Sequence, residues 1–160
     1  TSTSAPAVTY NKVQGIGTPN YWFVNNIFWC ERWWSGSEVD PNWHGDYNLL
    51  VRRGESTDWG KKKELAAKLG IDQKSLWLEQ GDPGFIAFEK RDVSLRADSS
   101  ARGRGVELSK LVGAKLPGLE PGYFKGSKPD AGALQFGEPM PVWPRKRADV
   151  QVPEAGTWPE

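Results

Sequence analysis

Thr18-Pro19-Asn20-Tyr21-Trp22-Phe23-Val24-Asn25-Asn26-Ile27-Phe28-Trp29-Cys30-Glu31-Arg32-Trp33-Trp34-Ser35-Gly36 carries four of the nine tryptophans in the chain, and its reading decides the fold. Thr18 is suited to cap the orphan amides of a helix start, and Pro19 has the fixed φ of a first helical residue. Gly36 is the residue type that commonly follows a helix end. These signals predict a helix over Pro19–Trp34. At about 100° per residue, Phe23, Ile27, Cys30 and Trp34 share one face, and Trp22, Trp29 and Trp33 form an adjacent ridge. Val24 and Phe28 interrupt the polar side held by Asn25, Asn26, Glu31 and Arg32. The expected helix is therefore apolar nearly all round and needs cover on most sides. At ~1.5 Å per residue it is roughly 24 Å long, too short to span a bilayer comfortably.

Outward from this stretch the signals weaken. Residues 1–17 show neither a helical nor a strand period and read as an extended arm. Tyr47–Arg52 is a short strand candidate. Helices are expected over Lys61–Leu69, ended by Gly70, over Gln73–Glu79, capped by Asp72, and over Val106–Val112, ended by Gly113. Phe85–Val93 alternates apolar and charged residues like a half-exposed strand. From residue 114 onward eight prolines and six glycines dominate, a composition that resists helix and central strand alike. Tyr123, Phe124, Phe136, Trp143 and Trp158 are spaced along that tail like anchors. No internal repeat is evident.

Glycine and proline together make about a fifth of the 160 residues, and hydrophobic residues only 38%, so much of the chain must be turns and extended segments. With 21 basic and 20 acidic side chains, the net charge of +1 gives no field to recruit a nucleic acid. Cys30 is the single cysteine and cannot form an internal disulfide. No run of 18 or more apolar residues marks a membrane span.

The chemistry-bearing motifs are sparse. His44 is the only histidine, so a Ser–His–Asp or Cys–His mechanism would have to use it. Asp40, Asp46 and Tyr47 lie near it in sequence, yet no nucleophile elbow surrounds any serine, and zinc and calcium spacings are absent. Gly15-Ile16-Gly17 and Gly103-Arg104-Gly105 lack the remainder of a phosphate loop. The segment Glu64–Leu76 resembles a helix-turn-helix only as far as Glu79, where an apolar residue is needed. Lys61-Lys62-Lys63 and Arg145-Lys146-Arg147 read as solvated charge, the second with some aptitude for anionic headgroups.

Together these features predict an irregular α+β fold: an arm over 1–17, a small centre over 18–113 with the Trp-rich helix, and an extended docking tail over 114–160. The function expected from that shape is a non-catalytic accessory or linker subunit. It would dock through Trp22, Trp29, Trp33 and Trp34 and through Tyr123, Phe124, Phe136, Trp143 and Trp158. Its partners would be the protein subunits of a large energy-transducing complex of photosynthesis or respiration, with contact at a membrane interface and none with nucleic acid. The acid-free, Ser/Thr-rich start fits a trimmed targeting peptide, hence a plastid or mitochondrion, with secretion as the alternative. No catalytic residue, metal or cofactor is required. Two other readings are a carbohydrate-binding module that uses exposed tryptophan and a small hydrolase that uses His44. Against the first stands the crowding of the aromatics on one helix and a Pro-rich tail, where the usual carrier is a β-sandwich of evenly spaced strands.

Overall fold

The computed structural model describes residues 8–9, 21–35, 42–55, 58–113 and 122–140. The centre is α+β and irregular, with two helices and sheets of two or three strands among the described residues. The segment expected to be the Trp-rich helix is instead two strands, β2 (Tyr21–Val24) and β3 (Ile27–Cys30), followed by β4 (Trp34–Ser35). Asn25 separates β2 from β3 in the left-handed conformation, with φ 59°, which asparagine tolerates better than most residues and which ends any helix. A strand buried on both faces is as apolar along its length as a helix buried all round, so the pattern did not distinguish them. The aromatic and β-branched residues that surround Asn25 favour the strand.

Pairing among these strands is parallel. β2 pairs with β5 (Trp43–Asp46), and β3 pairs with β6 (Leu49–Arg52), which pairs in turn with β7 (Leu76–Leu78). Tyr21 meets Trp43 and Ile27 meets Leu49, both 22 residues apart, while the step from Asn48 to Ser75 is 27 because helix α1 (Trp59–Leu69) is inserted there. β1 (Val8–Thr9) pairs in parallel with β4. The result is a short parallel β-solenoid, and it contains the repeat that the sequence reading did not find. Its trace is visible afterwards as Asn26-Ile27-Phe28-Trp29, Asn48-Leu49-Leu50-Val51 and Ser75-Leu76-Trp77-Leu78.

Both faces of the three-stranded sheet are covered. Phe28, Leu50 and Trp77 stack in register on the inner face and join Trp33, Trp43 and the α1 residues Trp59 and Ala66. On the outer face Leu49 and Val51 join Leu95, Ala101 and Ala131, with Ile27, Trp29 and Leu76 packed against them. Leu49, Leu50 and Val51 are wholly buried, as the middle layer of such a stack must be. The expected strand Phe85–Val93 is a hairpin, β8 (Phe85–Ala87) and β9 (Asp92–Leu95), reversed at Arg91 with φ 62°. Residues expected as the helix Gln73–Glu79 form a turn and β7 instead. α1 and α2 (Leu108–Val112) match the helices expected there, each closed by a left-handed glycine.

Residues 122–140 of the expected tail hold no helix or strand, in keeping with their glycine and proline content, yet Pro129 and Ala131 are buried against the centre. Ala131 N–H donates to Ala101 C=O at 2.9 Å, and Gly132 N–H to Asn25 C=O at 2.7 Å. This part of the tail takes its order from its own domain. The remaining arm and tail residues, among them Trp143 and Trp158, lie outside the described residues.

A polar ladder runs through the corners between the apolar rows. Asn48, 1% exposed, accepts at Oδ1 from the Asn26 N–H at 2.9 Å, and its Nδ2 donates to Phe23 C=O at 2.7 Å and to Asp72 Oδ1 at 2.9 Å. Its own N–H donates to Ser75 Oγ at 2.9 Å. Asp72 is also buried, with φ 52°, and accepts further bonds from Ser75 Oγ at 2.6 Å and Trp33 Nε1 at 3.2 Å. Burial raises the Asp72 carboxyl pKa above its ordinary value, against the lowering effect of these three donors, Ser75, Asn48 and Trp33.

Two outcomes follow for stability. Asn48→Ala leaves Asn26, Phe23 and Asp72 without their shared partner and should lower the unfolding free energy by about 2–4 kcal/mol, measurable by urea denaturation. Because the folded chain holds the Asp72 proton more tightly than the unfolded chain, stability should fall as pH rises from about 4, the ordinary carboxyl value, through the raised folded value. Urea midpoints across that range should lose this slope in Asp72→Asn.

Candidate binding surface

Side chains alternate across β2 and β5, and the alternation sorts them by environment. Trp43 and Gly45 are buried, and Phe23 stacks on Trp43 with ring centroids 4.5 Å apart. Gly45 is required there, since a Cβ would come within 2.6 Å of Trp43 Nε1. The opposite face carries Trp22 beside His44 and Val24 beside Asp46. Trp22 is 46% exposed, and its ring stacks on His44 at 4.4 Å with an interplanar angle of 21°. The stack follows from the register, because adjacent strands of a parallel sheet place equivalent side chains about 4.8 Å apart.

Polar groups continue the row. Asp46 Oδ1 accepts from the backbone N–H of Tyr47 at 3.0 Å and of Lys74 at 2.6 Å, which leaves its Oδ2 directed elsewhere. Lys74 Nζ donates to the Tyr47 hydroxyl at 2.8 Å and lies 5.0 Å from the Tyr47 ring centroid. That hydrogen bond, before any other influence, raises the Lys74 pKa above its ordinary range. A hollow of about 190 Å³ adjoins the row, bounded by Trp22, His44, Asp46, Gly70 and Leu111.

The aromatic residues expected to dock divide by burial. Trp33 is wholly buried and belongs to the core, where its Nε1 bonds Asp72. Trp29 is half-buried in the outer cluster, edge-on to Phe88 at 5.0 Å, with the Arg53 guanidinium over it. Trp34 is a residue of β4 whose side chain lies outside the description. Tyr123 and Phe124 are half-buried and contact each other at 4.9 Å, and Phe136 is exposed beneath Arg102. Trp22, 46% exposed, lies in one row with the half-buried His44 and Asp46.

The His44 ring is engaged in the stack on Trp22. Burial pushes the Cys30 thiol up to about 11, so it is neutral at physiological pH and a poor nucleophile. Among the described residues no cluster of three metal-ligating side chains occurs, and no helix is long and apolar enough to cross a membrane. No sequence motif marks Lys74, whereas Asp46 lies within the segment around His44 and Tyr47 opens the expected strand Tyr47–Arg52. The period-two pattern Trp43-His44-Gly45-Asp46 was the available signal, and it marks a half-exposed strand. Comparisons with protein-family models, with curated proteins and with solved structures found no match to this chain.

Proposed function

We propose that this chain is a non-catalytic binding module that presents the outer row of β2 and β5 to a carbohydrate. The observation that carries this reading is the exposed Trp22 ring, backed by His44 and followed along the same face by Asp46. Pyranose rings have one face of C–H groups that packs on an aromatic plane, and a rim of hydroxyls that bond carboxylate and ammonium groups. Asp46 offers an acceptor within the row, and Lys74, whose backbone N–H bonds Asp46 Oδ1, offers an ammonium from the turn before β7.

Docking onto another protein is the second reading, favoured by the one-sided pairing of β2 and β3 among the described residues. In it the chain is an accessory subunit of a larger assembly, a membrane-associated energy-transducing complex being the kind that the sequence suggests.

Screening the intact chain against a glycan array, followed by titration calorimetry of the best ligand, tests the first reading. Trp22→Ala should weaken binding about tenfold, the ~1–2 kcal/mol of a stacked ring, without a change in the urea midpoint comparable to that of a core substitution. Asp46→Asn should weaken it less. An array without a ligand, or a Trp22→Ala variant that binds as well as the parent, would refute the assignment.

A further inference from the structure

The outer row has a neighbour that stacking on Trp22 leaves unused, the hollow of about 190 Å³. Trp22 and Val24 are successive outward residues of β2, about 6.6 Å apart at ~3.3 Å per residue, and Val24 lies beside Asp46 in the register. A pyranose ring over Trp22 therefore brings one of its substituents toward Val24 and Asp46. At that place the hollow is bounded by Val24, by Ile71 after α1, by Leu111 of α2, and by Gly45 and Gly70.

The walls and the rim of the hollow select for different groups. Val24, Ile71 and Leu111 carry no hydrogen-bonding atom in their side chains, so a hydroxyl turned toward them would give up its water without a partner, whereas a methyl group gains by leaving water. At the rim, Asp46 Oδ1 already holds the backbone N–H groups of Tyr47 and Lys74, and Oδ2 takes no hydrogen bond among the described residues. A carboxylate oxygen accepts, so its complement is an N–H or O–H donor.

We infer that this hollow takes the acetamido group of an N-acetylated amino sugar. The sugar ring lies on Trp22, the acetamido N–H donates to Asp46 Oδ2, and the methyl group enters between Val24, Ile71 and Leu111, with the carbonyl oxygen left toward the open mouth. The acetamido group joins a donor to an apolar end within two bonds, which is the combination that rim and walls require. A hydroxyl supplies the donor without the apolar end. An ammonium pairs with Asp46 but leaves the apolar walls unfilled. This inference rests on the carbohydrate reading, whose row it shares.

Titration calorimetry of the intact chain tests it, with trimers of N-acetylglucosamine, glucose and glucosamine that share one linkage and differ only in the substituent beside the anomeric carbon. The methyl glycosides of N-acetylgalactosamine and galactose are the matched pair for the other ring configuration. In whichever series binds, the acetamido sugar should bind about tenfold tighter than its hydroxyl counterpart, the effect of one charge-assisted hydrogen bond and one buried methyl group. Leu111→Trp, which fills the hollow, should bring the two affinities together without weakening the hydroxyl sugar. Val24→Thr, which keeps the volume and adds a hydroxyl, should narrow the gap as well and serves where the larger side chain prevents folding. Equal binding of acetamido and hydroxyl sugars, or tightest binding of glucosamine, would overturn the inference and leave the carbohydrate reading standing. So would a preference that persists in Leu111→Trp at an unchanged urea midpoint. Failure of every sugar to bind would overturn both.

Discussion

The buried amide of Asn48 is the constraint on which the rest of this structure depends. It joins the corner of one layer to Asn26 in the layer before and to Ser75 and Asp72 in the layer after. Each of these groups would cost about 1–3 kcal/mol if buried without a partner, so the corners can align in one register only. Once they are aligned, the residues after each corner fall into rows. A slip of one residue would send Leu49 and Val51 to the inner face, move Leu50 to the outer face and strip the corner of its bonds.

Because both faces of the central sheet are covered, most of the large aromatic surface is used internally. Trp33, Trp43 and Trp59 are buried, and Trp59 meets Trp77 edge-on at 5.4 Å. The helix α1 closes one side, and the hairpin with the 129–132 segment closes the other. Among the described residues, the outer row of β2 and β5 stays outside this packing, with Trp22 46% exposed, and β3 pairs on one side only. The same strand geometry thus sets both features, one from side-chain alternation and one from the backbone.

The row offers a ring stacked on His44 and a carboxylate fixed by the backbone N–H groups of Tyr47 and Lys74, and presents little conformational entropy to be lost on binding. Cys30 is held neutral by its surroundings.

The sequence by itself determined the coarse class and several local features. Gly70 and Gly113 end helices where their conformational freedom predicts, Leu49–Arg52 is a strand within the expected Tyr47–Arg52, and the glycine-rich residues 122–140 form neither helix nor strand. Only the tertiary structure decided whether Tyr21–Cys30 is helix or strand. Both states bury an apolar run of that length, and the difference lies in bonds to Asn48, twenty-two residues on, that no local window contains. The same holds for the binding row. His44 and Trp22 become neighbours only when β5 lies beside β2, and Lys74 reaches Tyr47 only after α1 has returned the chain to the next layer. Composition announced abundant aromatic surface, but which rings are core and which are exposed is set by register, a property of paired strands and not of either strand alone.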